Sequence, residues 1–272
     1  MIRRTVVSIS GSHRTEFGSV ARVTTMRDIS QEGILLAAGG RALLLQIAHP
    51  AVGAGVARHS DFANDPLSRL HGTLTFIYAI ASGTEADAAA IRRTVNRAHV
   101  PVRGDGYNAM DGQLQLWVAA TLYDSAITMY ERVYGPLSPD DGERVYREYA
   151  VLGTALQMPV DLWPADRAAF AAYWSASLDG LSVSASVNAV QEQIWRPATV
   201  PVWARIAMPL VRFVTAGLLP SSVRGLFGLS WSDRQQRRFD RLLRVVAFVY
   251  PKLPAVVRHS PQRHYLRRLR LL

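Results

Sequence analysis

The sequence predicts an all-α fold, a single globular domain of many helices. Three observations carry this reading. Apolar residues return at three- and four-residue spacings along most of the chain. Capping residues, prolines and glycines bracket those periodic stretches again and again. No run alternates apolar and polar residues as a half-buried strand would, and neither an internal repeat nor an interdomain linker interrupts the pattern. With 272 residues the chain can bury a sizeable core. Its 49% hydrophobic and 19% charged content is that of a globular protein, not a disordered one. We divide it into an N-terminal arm at 1–25, a helical domain at 26–250 and a basic C-terminal tail at 251–272.

Each helix has its own signals. The first is expected to start near Asp28 or Ser30 and to run to Ala48, where Pro50 ends it. Gly39 and Gly40 inside it cost about 1 kcal/mol each relative to alanine, which close approach by another helix or a flat cofactor would justify. A second helix covers 66–81, with Leu67, Leu70, Leu74, Ile77 and Tyr78 at helical spacings. After the turn Ser82-Gly83-Thr84, Thr84 caps a third helix from Glu85 to about Ala98, with Asp87 at the capping-box position. Asp111 caps a long helix at 112–134 that is apolar enough on several sides to be buried. Gly135-Pro136 stops it. Ser138-Pro139-Asp140-Asp141 then supplies a cap, a proline at the first helical position and acids in the first turn. That helix is expected to reach about Gln157. MPVDLWP at 158–164 is a loop, and Pro164 opens a helix that ends before Gly180. Further helical patterns cover 183–195, 201–218, 232–249 and 261–270.

The pair of helices at 66–81 and 85–98 has a derivable geometry. Joined by so short a turn, they should lie antiparallel. Arg69 stands fourteen residues before Gly83 and His99 sixteen after it, so each is about 20–24 Å from the turn at 1.5 Å per residue. Arg69, Thr73 and His99 should therefore meet at the open end of the hairpin, Arg69 and Thr73 being one helical turn apart on one face. A guanidinium, a hydroxyl and an imidazole at one locus call for a chemical reason. The ordinary alternatives are an ion pair of Arg69 with Asp65 and a bond from Thr73 back to its own helix.

Several mechanisms lack their parts. The chain has no cysteine, which removes disulfides, thiolate-ligated haem, cysteine-based zinc sites and cysteine nucleophiles. There is no GxGxxG after a strand, no P-loop, no GxSxG elbow and no HExxH. The spacing of His49, His59 and His71 matches no compact zinc site. A histidine that ends a helix in an apolar bundle, with no thiolate to compete, suits the proximal ligand of a haem, and His99 fills that description. His49 precedes Pro50, where capping or hydrogen bonding is the commoner use. His59 and His71 read as surface or supporting residues.

The words AHP at 48–50, FANDP at 62–66, Arg69 with Thr73, and NRAH at 96–99 followed by VRG stand in an order that resembles the DUF2236 family, the MpaB-type oxygenases that include the latex-clearing rubber oxygenases. The likeness continues through YNAMDGQLQLWVAATL at 107–122 and MPVDLWP, with weaker echoes at GLLP and GLSW, and spans roughly 30–235. The resemblance implies an all-helical oxygenase with haem b as cofactor. His99 would ligate the iron, and Arg69 and Thr73 would stand on the distal side, toward dioxygen and a small apolar substrate, isoprenoid or alkene in kind. His49 becomes a further candidate for the haem pocket. Two positions depart from the family's pattern. Rubber oxygenases carry a lysine where Gly72 stands, and many relatives carry a histidine where Ala119 stands. Two other readings remain open on the residues alone: a haem- or lipid-binding helical protein without turnover, and a non-haem metal protein using His49, His59 and His99 with Asp61 or Asp65.

The net charge of +10 is localised. From Ser221 onward twelve arginines and lysines face two aspartates, so the preceding 220 residues are neutral overall. Such a tail can face water or an anionic membrane surface. Nucleic acid is the least supported partner, because no recognised binding motif accompanies the charge. No signal peptide and no apolar run long enough to span a bilayer is read, so the expected location is cytoplasmic with at most peripheral membrane contact. The nearest approach to a span, 200–220, is interrupted by Arg205, Pro209 and Arg212. Its two arginines share a face, which predicts an amphipathic helix with its apolar side on the core and its arginines in water; lying in a membrane interface is the alternative.

Overall fold

A computed structural model describes residues 25–59, 66–197 and 200–271. The described residues are helical apart from turns and one two-residue hairpin, β1 (Arg103–Gly104) against β2 (Tyr107–Asn108). The expected arm at 1–25 lies outside them except for Thr25, the N-cap of α1 (Met26–Ser30).

The domain is built around α6 (Gly112–Tyr134). Asp111 caps it by accepting from the Gln113 amide at 2.7 Å, and Gly135, at φ +87°, ends it in a conformation that favours glycine. Its 23 residues span about 35 Å. Because it is apolar on several sides, it feeds three groups of core residues. Leu116, Ala120, Tyr123 and Ile127 meet Phe76 of α4 (Pro66–Ser82), Ile91 of α5 (Glu85–His99), Tyr146 of α7 (Pro139–Thr154) and Phe170 of α8 (Arg167–Asp179). Trp117 turns instead toward Leu44, Leu45 and Ile47 of α2 (Gly39–Ala48) and Val187 and Val190 of α9 (Ala185–Trp195). Met129 and Val133 pack with Leu218 of α10 (Val202–Leu218) and with Phe239 and Leu243 of α12 (Asp233–Val249). Between the last two lies the short α11 (Ser221–Leu226), which the sequence pattern does not announce.

The start of the domain differs from expectation. The single first helix is broken into α1, a 3-10 turn at Gly33–Ala38 and α2. Gly33 lies against the Arg258 carbonyl, where an added Cβ would come within 2.8 Å, and Gly40 lies against Thr215 of α10 at 2.2 Å by the same measure. Close helix approach therefore accounts for Gly40. The glycine-rich stretch after His49 is a helix, α3 (Pro50–His59), despite its low propensity. Gly53 nests against the Ile47 carbonyl and Val187, and Gly55 against Tyr107, so packing outweighs local preference there.

The segment expected as a basic tail is folded onto the domain over its described residues. After α13 (Ala255–Arg258), α14 (Ser260–Leu269) lies on α4, with Tyr265 5.6 Å from Tyr78 and Gln262 donating to Ser82 at 2.7 Å. Buried Glu32 holds this return: Arg258 pairs with it, His259 lies 3.1 Å away, and the Tyr134 hydroxyl donates to it at 2.7 Å. A second internal charge, Arg41, is 4% exposed. It is satisfied by the Leu218 carbonyl at 2.9 Å, Ser125 at 2.8 Å and an ion pair with Asp124 at 2.5 Å, and so ties α2 to α6 and α10.

α10 meets its expected orientation only in part: Arg205 and Arg212 are exposed as expected, but not all of its apolar side is covered. Its second half is core-facing through Thr215, Ala216 and Leu218, but its first half turns its apolar side outward. Arg212 lies 5.5 Å over the ring of Trp195. Among the described residues no single helix is long and apolar enough to cross a membrane. One bent pair, Gly33–Ala48 with Pro50–His59 at 104°, passes on length and composition, yet Leu44, Leu45, Ile47 and Ala48 within it are fully buried in the core.

Candidate functional site

The hairpin expected at α4 and α5 is present. Thr84 and Asp87 form a reciprocal capping box, the Asp87 amide donating to the Thr84 hydroxyl at 3.2 Å and the Thr84 amide to Asp87 at 2.9 Å. The carboxyl of Asp87 is held below its ordinary range, first by its bond from the Thr84 backbone. Thr84→Ala removes half of that box and should lower stability by about 1 kcal/mol, read as a shift in the denaturation midpoint at constant m-value.

At the open end, His99 is the last residue of α5 and Arg69 sits in the first turn of α4. The two are close enough for the Arg69 charge to act on the imidazole. His99 has its pKa lowered chiefly by burial and further by Arg69. Its Nδ1 is buried with no hydrogen-bond partner among the described residues. Burial lowers the Arg69 pKa as well, although part of the side chain reaches solvent, and an arginine so placed remains charged. Thr73, one turn along, is exposed, and its hydroxyl donates to the Arg69 carbonyl at 3.1 Å. The bond back into the helix is thus the one Thr73 makes. Asp65, the alternative partner of Arg69, lies outside the described residues, as does Asp61.

His49 has a different setting. It is the C-cap of α2, its ring is 6.1 Å from that of Trp117, and its charged neighbour is Asp111. Its pKa is lowered by burial, with Asp111 opposing, and its Nδ1 also lacks a partner. His59 is engaged otherwise, its Nε2 lying 2.9 Å from the Tyr107 hydroxyl. His71 packs on Tyr265 at 5.7 Å. Among the described residues no three histidines or acids gather into a metal-binding group, so the combination of His49, His59 and His99 is not brought together there. The two departures also find their places. An added Cβ at Gly72 would meet nothing within 4 Å, so this position opens outward. Ala119 is buried in the apolar core, and the Cβ built on Gly153 of α7 would lie 3.5 Å from its own.

Sequence reasoning passed over Asn96. One turn before His99, it donates to the Ala155 carbonyl at 3.4 Å and leaves a buried, unpartnered Oδ1. Its place in NRAH was the available signal. Two shallow depressions on the described surface, of about 410 and about 490 Å³, are lined by other residues than His49, Arg69 and His99.

Both imidazoles have folded pKa values below the ordinary 6.5. The unfolded chain therefore binds more protons as pH falls through 6.5, and the fold loses stability there. Chemical denaturation of the ligand-free chain should give a lower midpoint at pH 5.5 than at pH 7.5. Replacing His49 and His99 by glutamine should shrink that difference.

A half-buried imidazole and a guanidinium thus meet at the end of a helix in an all-helical domain. The chain belongs to the family described as ER-bound oxygenase mpaB/B′/rubber oxygenase, catalytic domain, which matches residues 26–248. It is an oxygenase of that type, in a family that in general uses a haem-type cofactor. Two proteins described as uncharacterized, from Mycobacterium bovis and Mycobacterium tuberculosis, are each 40% identical over 222 residues, covering 78% of this chain and 87% of the relative. The solved latex clearing protein LCP in its closed state superposes with a TM-score of 0.59 at 17% identity, over 94% of this chain and 76% of that one, a likeness of fold.

Proposed function

We propose that the chain is a haem-b-dependent oxygenase acting with dioxygen on a small apolar substrate, isoprenoid or alkene in kind. The observation that carries this reading is His99. Its pKa is lowered by burial and by Arg69, so at neutral pH the imidazole is uncharged and has a lone pair to give. Its Nδ1 is buried without a partner among the described residues, a state that suits a ligand side chain and is costly for a structural histidine. Which ring nitrogen ligates is set by which one keeps the proton.

The residues fit the group. His99 would hold the iron, with His49, whose pKa is also lowered and whose Nδ1 has no partner among the described residues, as the second candidate. When bound, haem supplies the dioxygen chemistry. Arg69 supplies a fixed positive charge at the same end of the hairpin, able to anchor a propionate or stabilise negative charge that develops on oxygen. Thr73 can donate a hydrogen bond there only by releasing the Arg69 carbonyl. Gly72, one residue before Thr73, would bring no side chain to cap a bound iron.

Freshly purified protein should show a Soret band, and an alkene should raise its oxygen consumption. A Soret band without alkene-dependent oxygen uptake would favour a non-catalytic haem-binding protein. No Soret band after haem addition would end the reading. The resting ferric form should bind cyanide or imidazole without first displacing a protein group; a six-coordinate low-spin spectrum with two nitrogen ligands would instead bring in His49.

A further inference from the structure

Solvent-facing apolar residues are concentrated at one helix. In the first half of α10, Trp203 is 70% exposed, Ile206 75% and Leu210 55%. Spaced three and four apart, they form one stripe about 10 Å long, flanked by exposed Val202 and Val211. The opposite side of the same turns is lined with Arg205, Met208 and Arg212 against Trp195. Water thus meets the apolar stripe as well as Arg205 and Arg212, which stay exposed beside Trp195. A surface helix that merely covers a core would not leave such a stripe in water.

The element packed against α10 is strongly basic. α10 meets α12 through Phe213 and Phe239, 6.1 Å apart. α12 exposes Arg237, Arg241 and Arg244, then Val245 and Phe248, with Lys252 over the Phe248 ring. The chain from Ser221 onward carries the whole net charge of +10. A second copy docking here would bring like charge to like charge, which costs free energy. Nucleic acid would answer the charge but not a stripe of tryptophan, isoleucine and leucine. An anionic lipid surface answers both, with apolar side chains and an indole in the interface and basic side chains at the headgroups.

We propose that the outward stripe of α10, with the basic face of α12, seats the domain on an anionic membrane surface as an interfacial helix that does not span it. The proposal is independent of the role given to His99.

The test uses the full-length chain and vesicles of phosphatidylcholine, with or without about one third phosphatidylglycerol. Cosedimentation should be at least about tenfold stronger with the anionic vesicles and should weaken as salt is raised. The combined variant Trp203→Ser, Ile206→Ser, Leu210→Ser should lower binding on the order of tenfold while keeping the helical circular dichroism of the parent. Because the chain has no cysteine, Ile206→Cys gives a unique attachment point for a polarity-sensitive fluorophore and disturbs little. Its emission should shift to the blue on anionic vesicles and stay unchanged on neutral ones. The proposal is overturned by no binding to anionic vesicles, by equal binding of the serine variant, or by an unshifted label. It is also overturned if sedimentation shows a dimer that the serine variant abolishes, since the stripe would then belong to a second copy.

Discussion

His99→Ala should strip the protein of stoichiometric haem while leaving its helical circular dichroism close to that of the parent. The side chain ends α5 and contributes little to the core, whose nearest members on that helix are Ala88 and Ile91. Deleting it removes a buried nitrogen that has no hydrogen-bond partner among the described residues, so the apo fold gives up no bond there. The loss falls on the ligand function. Residues that only orient a metal ligand cost about 10–100-fold in affinity when removed, and the ligand itself should cost at least as much. Haem titration followed at the Soret band checks this without any need for activity. Full retention of haem would transfer the axial role to His49.

Arg69→Ala should slow turnover far more than it weakens haem binding. A preorganised donor aimed at developing charge is worth about 2.7–4 kcal/mol in the transition state, or about 10²–10³ in rate. The variant also removes one of the two causes that hold the His99 pKa down. The imidazole should then titrate at higher pH, which NMR of the ring protons in the apo chain can follow. Haem titration and turnover measured on the same preparation separate the two uses of Arg69. If haem is lost in proportion to activity, Arg69 anchors a propionate and takes no part in the chemistry. Thr73→Val should do less, because its hydroxyl already donates to the Arg69 carbonyl.

Much of the site's frame was legible from residue order. The Thr84–Asp87 box, the Ser138-Pro139 start and the Asp111 cap are bonds between residues two or three apart, so a short window of sequence contains both partners. The apolar surround of α6 is likewise a local pattern and marks it as the central helix. From those came the hairpin and the meeting of Arg69 with His99, because two helices and a short turn leave little freedom. The NRAH word pointed to His99, yet nothing in the sequence said that its Nδ1 would be left without a partner.

Tertiary contacts decided the rest. The break between α1 and α2 depends on Gly33 meeting Arg258, more than 200 residues away, and Gly40 meeting Thr215. α3 forms over Gly53 and Gly55 because Val187 and Tyr107 press close, a gain that helix propensity does not contain. The last twenty residues look like a solvated basic tail until Glu32 is seen to hold Arg258 and His259, and only then does α14 lie across α4. α10 carries an apolar face in either orientation. Periodicity fixes which residues share a face, but which way that face turns is set by what the other elements leave to cover it, and here α12 covers only the second half.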